Sequence, residues 1–484
     1  MDPVNNDYFD YVILGSGAGG STAFVEHSKN RLTALIEDGQ LSADAIRDSS
    51  VKRILADMYR DGGIRPAIGF PNIAIGEGRC VGGSTEINGG LFWRTPQNIV
   101  HEWTNLGYDF AGSQKWVAIF EELERELNVT TEVGRDGFDL DSKLLLRVAN
   151  SKNWKMVPAV RMVKLCQKSN LCASGCPSGA KQSMSSTFIK RGIDDGGKLL
   201  SGWKANFISV RGQEITVDLI NELGEQKKIR TKYLTLSCGA IESRRLLVKS
   251  GLIREPFGHI QFHANAKIVA KFSFDINAKN GTIFTDQLQE FMSDGFLFMP
   301  TNLNSSYLAM ASSSINSETY RDLVQNIDKV GMYTAQYRVT GKLVDVQVFR
   351  RLFLLFTYLT KSDIRKIKKY LAVASEMLFE AGAEYLQLPF AGTNPVFSLE
   401  EAVLLINQTG RKHLNLSTVH IMSSLPLPTQ VSAFRSHLDS DGRLKRYPRI
   451  NVMDASILPS SIGESPQATI MAMVRMFSNK LFKD

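Results

Sequence analysis

The feature that most constrains this chain is a glycine-rich turn set between a strand and a helix. Tyr8 to Leu14 (YFDYVIL) is apolar almost throughout, as suits a parallel strand buried on both faces. It runs into Gly15-Ser16-Gly17-Ala18-Gly19-Gly20, followed by a helix-compatible stretch from Ser21 to Ser28. A second strand, Leu32 to Ile36, ends in Glu37. Each position has a physical reason. Gly15 allows the tight turn, Gly17 lets backbone approach a pyrophosphate, and Gly20 lets helix and sheet pack closely. The helix N-terminus then presents free N–H groups and a positive dipole end to phosphates. Glu37, 22 residues beyond Gly15, stands where a carboxylate accepts hydrogen bonds from a ribose 2′-OH. An acid there favours the unphosphorylated ribose of FAD or NAD over NADP.

A second block, Gly76 to Pro96, reads GEGRCVGGSTEINGGLFWRTP. Its Gly82-Gly83-Ser84 loop and Asn88 supply backbone N–H groups and an amide suited to a flavin and its diphosphate. Together with the first turn, this block resembles the glucose–methanol–choline (GMC) oxidoreductase family, whose cofactor is FAD. Tyr233 to Leu247 (YLTLSCGAIESRRLL) is similar to the family's strand-and-turn segment near the adenosine. Ser417 to Ser424 (STVHIMSS) is similar to the segment carrying its catalytic His. Val452 to Met473 is similar to its C-terminal flavin segment, with Asp454 and Ala455 against the cofactor. These matches run from residue 8 to the C-terminus, so the resemblance covers essentially the whole chain. Asp61-Gly62-Gly63, Ile87 to Gly90, Arg94-Thr95-Pro96 and Cys176 to Lys181 point to the branch with long-chain alcohol oxidases and some sugar dehydrogenases.

The resemblance implies an α/β fold, α+β overall, with a Rossmann-like FAD-binding domain and a substrate domain built on an antiparallel sheet with helices. The FAD-binding domain is expected from three segments, 1–100, 195–260 and 440–484. The substrate domain is expected from 101–194, which holds a Cys-containing loop, and 261–439. Local patterns agree. Ala266 to Phe274 alternates like a strand with one solvated face. Ser362 to Ala381 carries Ile364, Ile367, Leu371 and Leu378 on one helical stripe, with Gly382 as the stop.

Flavin-dependent alcohol oxidation needs a base for the hydroxyl proton while hydride leaves carbon for flavin N5. The resemblance assigns that base to His420, and imidazole suits the role because it titrates near neutral pH. His263, His413 and His437 lack such a context. The family's second catalytic position, usually Asn or His, falls on Ser465, which still donates a hydrogen bond but has a shorter reach. Its neighbour Glu464 is an alternative inward-pointing group. Relatives that attach FAD covalently use a His just before the Asn of the second block. That position is Ile87, so non-covalent FAD is expected.

Cys166, Cys172 and Cys176 form C-x5-C-x3-C-P. Two readings stand: three thiolate ligands of an iron–sulfur cluster, as in some flavin sugar dehydrogenases, or a loop of ordinary thiols. Cys80 and Cys238 read as packing residues. Lys plus Arg is 57 against 49 Asp plus Glu, a net +8 spread over 484 residues. The densest basic stretch, Arg365 to Lys369, is interrupted at helical spacing and reads as a solvated helix face, so nucleic acid is not an expected partner. Met1 to Asp7 is too polar and too short for a secretory signal, so the chain is expected in the cytoplasm. Val346 to Leu359 is apolar but short and contains Arg350-Arg351, which excludes a bilayer span; within it, Val348 to Leu359 reads as core or subunit interface, or, with the basic helix after it, as a peripheral membrane contact. The expected partners are a small-molecule alcohol, sugar-like or long-chain, and oxygen, a quinone or a redox protein as electron acceptor. Two other readings remain: a non-oxidative flavin enzyme of lyase or decarboxylase type, and a non-catalytic flavin-binding or electron-transfer subunit.

Overall fold

In the computed structural model, residues 8–40, 51–132, 140–301, 303, 308, 311, 316–349, 352–429 and 436–482 are described. The apolar run Tyr8–Leu14 becomes the middle strand of a parallel sheet. Its order is Tyr447–Val452, Gln226–Leu236, Tyr8–Leu14, Thr33–Glu37, Lys198–Ser201. Val12 sits in register between Leu234 and Ala34, all fully buried. Strands covered on both faces need apolar side chains on both faces, which is why the run lacks alternation. Two antiparallel strands, Lys204–Arg211 and Glu214–Ile220, extend the sheet from the first half of Gln226–Leu236.

The first helix, Ala18–His27, starts three residues earlier than its pattern suggests, because Ala18, Gly19 and Gly20 join its first turn. It packs against the helices Phe188–Asp194 and Gln467–Phe477, so the C-terminal helix closes the same layer as the N-terminal one.

A second sheet, of twelve strands among the described residues, is organised around one 16-residue strand, Phe257–Phe272. It pairs antiparallel with Val330–Arg338, Lys342–Phe349 and Ala383–Gln387, and over shorter stretches with Leu416–Thr418 and Ile421–Met422. The strand expected at Ala266 to Phe274 is thus the end of a longer one. The helix expected at Ser362 to Ala381 is observed as Lys361–Glu380. Thr360 and Asp363 form a reciprocal capping box at its start, and Gly382, at φ +99°, follows its end. It buries Ile367, Leu371 and Leu378 and exposes Arg365 and Lys369, as an amphipathic helix should.

The apolar run Val346 to Leu359 folds as an antiparallel hairpin, Lys342–Phe349 with Leu352–Tyr358. Arg350 and Arg351, like Met1 to Asp7, lie outside the described residues. No helix among the described residues is long and apolar enough to cross a membrane.

Candidate active site

Two glycine loops meet at Ser16. Its hydroxyl donates to Glu37 Oε2 at 2.7 Å and accepts the N–H of Gly82 at 2.9 Å. The Ser16 N–H also donates to Glu37 Oε2, at 2.9 Å, and Gly39 N–H donates to Oε1 at 2.9 Å. Glu37 therefore locks the turn as well as facing the cavity, and burial pushes its carboxyl above the usual range. Gly15 takes φ +94°, a left-handed conformation that favours glycine. A Cβ on Gly20 would fall 1.8 Å from Gly15 O, and one on Gly19 2.0 Å from Met453 O. These two glycines serve close backbone packing. Gly17 differs: a Cβ there would meet nothing within 4 Å.

That open space belongs to a cavity of about 1040 Å³. Gly15, Gly17, Gly83, Ser84, Asn88 and Glu37 line it, as do Asp454 and Ala455 from the C-terminal segment. Gly20 and Gly82 stand behind the wall. Asp454 ties three segments together, accepting Gly239 N–H at 2.9 Å, Ser456 N–H at 2.8 Å and the Ser243 hydroxyl. Asn88 donates to Gln467 Oε1 at 2.6 Å, joining the second block to the start of the C-terminal helix. A bare backbone turn at a helix start, an acid beside it and a long cavity fit a dinucleotide cofactor such as FAD. Ile87 lines the cavity where covalent attachment would require a nucleophile.

At another part of the cavity wall stand His420, Glu464 and Ser465. His420 Nδ1 lies 3.1 Å from Nδ1 of His263, the rings edge to face. His263 is fully buried, and its Nε2 accepts the backbone N–H of Gly463 at 2.9 Å. The protons follow. An amide N–H can only donate, so His263 Nε2 carries no hydrogen and the neutral ring holds its proton on Nδ1. His263 Nδ1–H then donates to His420 Nδ1, which leaves the proton of neutral His420 on Nε2. Burial holds the pKa of His420 down to about 4, and burial with the His420 and Arg338 charges holds that of His263 well below the usual imidazole range. Both rings are neutral at physiological pH. His420 is therefore fixed as an N–H donor.

Glu464 has the complementary character. Its Oε1 accepts from the Gln287 amide and its Oε2 from Ser465 N–H at 3.3 Å. Burial pushes its carboxyl up to about 8, where proton exchange near neutral pH is easy. Gly463 links the two groups. Its N–H holds His263, and its carbonyl accepts from Gln336 Nε2 at 2.9 Å.

The three cysteines take separate partners. Cys172 Sγ faces Arg161 Nη2 at 3.2 Å, Cys166 Sγ lies 3.6 Å from the Thr282 hydroxyl, and Cys176 Sγ accepts Lys181 N–H at 3.3 Å. Among the described residues no group of three or more His, Cys, Asp or Glu side chains is placed to hold a metal ion. Instead, Lys181 Nζ donates from this loop to the carbonyls of Glu86, Asn88 and Cys172 at 2.6, 3.0 and 2.7 Å, bracing the second glycine block.

Two family models, both described as GMC oxidoreductase, match residues 55–263 and 355–473. An uncharacterized GMC-type oxidoreductase of Sinorhizobium fredii is 28% identical over 480 residues, covering 96% of this chain and 92% of its own. A long-chain-alcohol oxidase of Arabidopsis thaliana is 23% identical over 515 residues, covering 98% of this chain and 67% of its own. Among solved structures, pyridoxine 4-oxidase from Mesorbium loti superposes with a TM-score of 0.72 at 15% identity, covering 97% of this chain and 98% of that one. A formate oxidase variant of Aspergillus oryzae, studied for its FAD modification, gives 0.74 at 11% identity, covering 99% of each chain.

Proposed function

Because the chain belongs to the GMC oxidoreductase family and is an FAD-dependent oxidoreductase, we propose that its cavity binds FAD non-covalently and oxidises an alcohol between His420 and Glu464. FAD, when bound, supplies the acceptor for the hydride and its electron pair. Gly15, Gly17 and the helix behind them would hold the diphosphate, with Glu37 at the ribose. Gly83, Ser84, Asn88, Asp454 and Ala455 would hold the flavin side.

The observation that carries this reading is a fixed donor and a buried acid that line one cavity. His420 Nε2–H donates to the substrate oxygen and orients it. The hydroxyl proton passes to Glu464, once ionised. The fixed tautomer thus moves the role of base from His420, where sequence alone would put it, to Glu464. Ser465 contributes through its backbone N–H, which holds Glu464 Oε2 in place. A donor and an acid facing one cavity also favour a catalyst over a passive flavin carrier. The long-chain-alcohol oxidases among its relatives support an alcohol donor and oxygen as acceptor. The cysteine loop enters this reading as a structural brace, without an iron–sulfur cluster.

Rapid anaerobic mixing of the flavoprotein with the best alcohol from a substrate screen tests the assignment. Glu464→Gln should slow flavin reduction by ~10²–10⁴-fold, the usual worth of a general base. In the parent the rate should rise with pH through about 8, because only the ionised carboxylate accepts the proton. That rise should vanish in Glu464→Gln. His420→Ala should slow reduction by ~10²–10³-fold, the cost of losing one preorganised donor, and keep the rise. Glu464→Gln reducing flavin at the parent rate, or keeping the inflection, contradicts the assignment.

A further inference from the structure

Polar residues alternate along the long strand: His259, Gln261, His263, Asn265 and Lys267 occupy every second position. Residues two apart share one face of a strand. Their partners on Val330–Arg338 share that face too: Arg338 opposite His263, Gln336 opposite Asn265, Thr334 opposite Lys267. Asn265, Gln336, Lys267 and Thr334 all line the cavity. The ladder therefore begins at the buried His263 that fixes His420, passes Gln336 beside Gly463, and ends at Lys267.

Lys267 has an unusual setting. Its ammonium donates to the hydroxyls of Thr334 at 2.5 Å and Thr301 at 3.4 Å, which accounts for two of its three N–H groups. Among the described residues no carboxylate pairs with it. Burial pushes its pKa down to about 8, with no charge among the described residues to offset the loss of solvent. Met299 and Met332 line the same cavity and provide apolar surface. A half-buried cation on a cavity wall, with no counter-charge among the described residues, is costly to leave unpaired and is suited to anchor an anion.

We propose that Lys267, with Thr301 and Thr334, binds a carboxylate of the substrate, so that the alcohol oxidised by this protein is a hydroxy acid. This rests on the cavity holding an alcohol at His420 and Glu464. The carboxylate lies at the far end of the ladder, about 7 Å along the strand from the Asn265–Gln336 rung. One ammonium and two hydroxyls match the single negative charge and the two acceptor oxygens of a carboxylate. The chain between the two ends would cross the Asn265–Gln336 rung, with Met299, opposite Thr334, flanking the Lys267 end.

Calorimetric titration of the FAD-loaded protein tests this without turnover. The probes are linear monocarboxylates of increasing length, their primary amides as neutral matches, and inorganic phosphate. The parent should bind the carboxylate of optimal length roughly 10–100-fold more tightly than its amide, the range of one charge-assisted hydrogen bond. Lys267→Met should lose that preference, as should Lys267→Gln, each checked first for full FAD content. Equal affinity for carboxylate and amide in the parent overturns the proposal. So does a preference surviving in a flavin-loaded Lys267 variant, or phosphate binding where no carboxylate binds. If the carboxylates bind as predicted while no alcohol reduces the flavin, the failure lies in the alcohol-oxidation reading and not in the anion site.

Discussion

The nitrogen that His420 turns to the cavity owes its proton to a backbone amide two contacts away. Gly463 N–H sets the tautomer of His263, and His263 sets that of His420. Removing the middle group should therefore change chemistry without changing cofactor content. His263→Ala should slow flavin reduction about 10–100-fold, the range seen when the orienting partner of a functional imidazole is lost. Nitrogen NMR of His420 should then show mixed tautomers where the parent shows Nε2–H alone. Unaltered nitrogen shifts with a slowed enzyme would mean that His263 acts only through packing. Of this corner, the motif around His420 is readable from sequence and the Glu464 alternative is visible beside Ser465. His263 is not, because a histidine on a strand announces its face but not the side chain that another segment brings against it. The same reason hides Lys267. Its alternation is plain, yet the polar face at Ala266 to Phe274, read as solvated, meets the cavity at Lys267.

Among the elements, the first strand, turn and helix were the most legible, since buried parallel strands, glycine-specific turns and helix starts each leave local marks. The structure separates the glycines further than the motif does. A methyl at Gly17 points into open cavity, whereas one at Gly20 meets the Gly15 carbonyl oxygen at 1.8 Å. Gly17→Ala should keep the melting temperature of the cofactor-free protein and lower its FAD content. Gly20→Ala should lower that melting temperature itself, with an overpacking cost of about 1–3 kcal/mol. Calorimetry of both cofactor-free variants checks this, and equal melting temperatures would refute the division of roles. The hairpin at Lys342–Tyr358 was less legible, because a short apolar run reads equally as core helix or strand until its partners are known. Nothing in the spacing of Cys166, Cys172 and Cys176 reveals that Arg161, Thr282 and Lys181 occupy their sulfurs instead of one another.

Across the whole molecule, a mainly parallel sheet and a mainly antiparallel one contribute to one cavity, and chain-distant segments line it. The turn after the first strand and the segment at Asp454 line it together with the long strand, His420 and Glu464. That arrangement makes one demand: a flavin held by the glycine turns must be reachable by an alcohol held at His420 and Glu464. The direct measurement is anaerobic addition of an alcohol panel, hydroxy acids included, to the purified flavoprotein, a separate portion of which should release its FAD on acid precipitation. At least one alcohol should bleach the oxidised flavin band, and admission of oxygen should restore it. A protein that takes up no FAD, or a bound flavin that stays oxidised with every alcohol, would contradict the account.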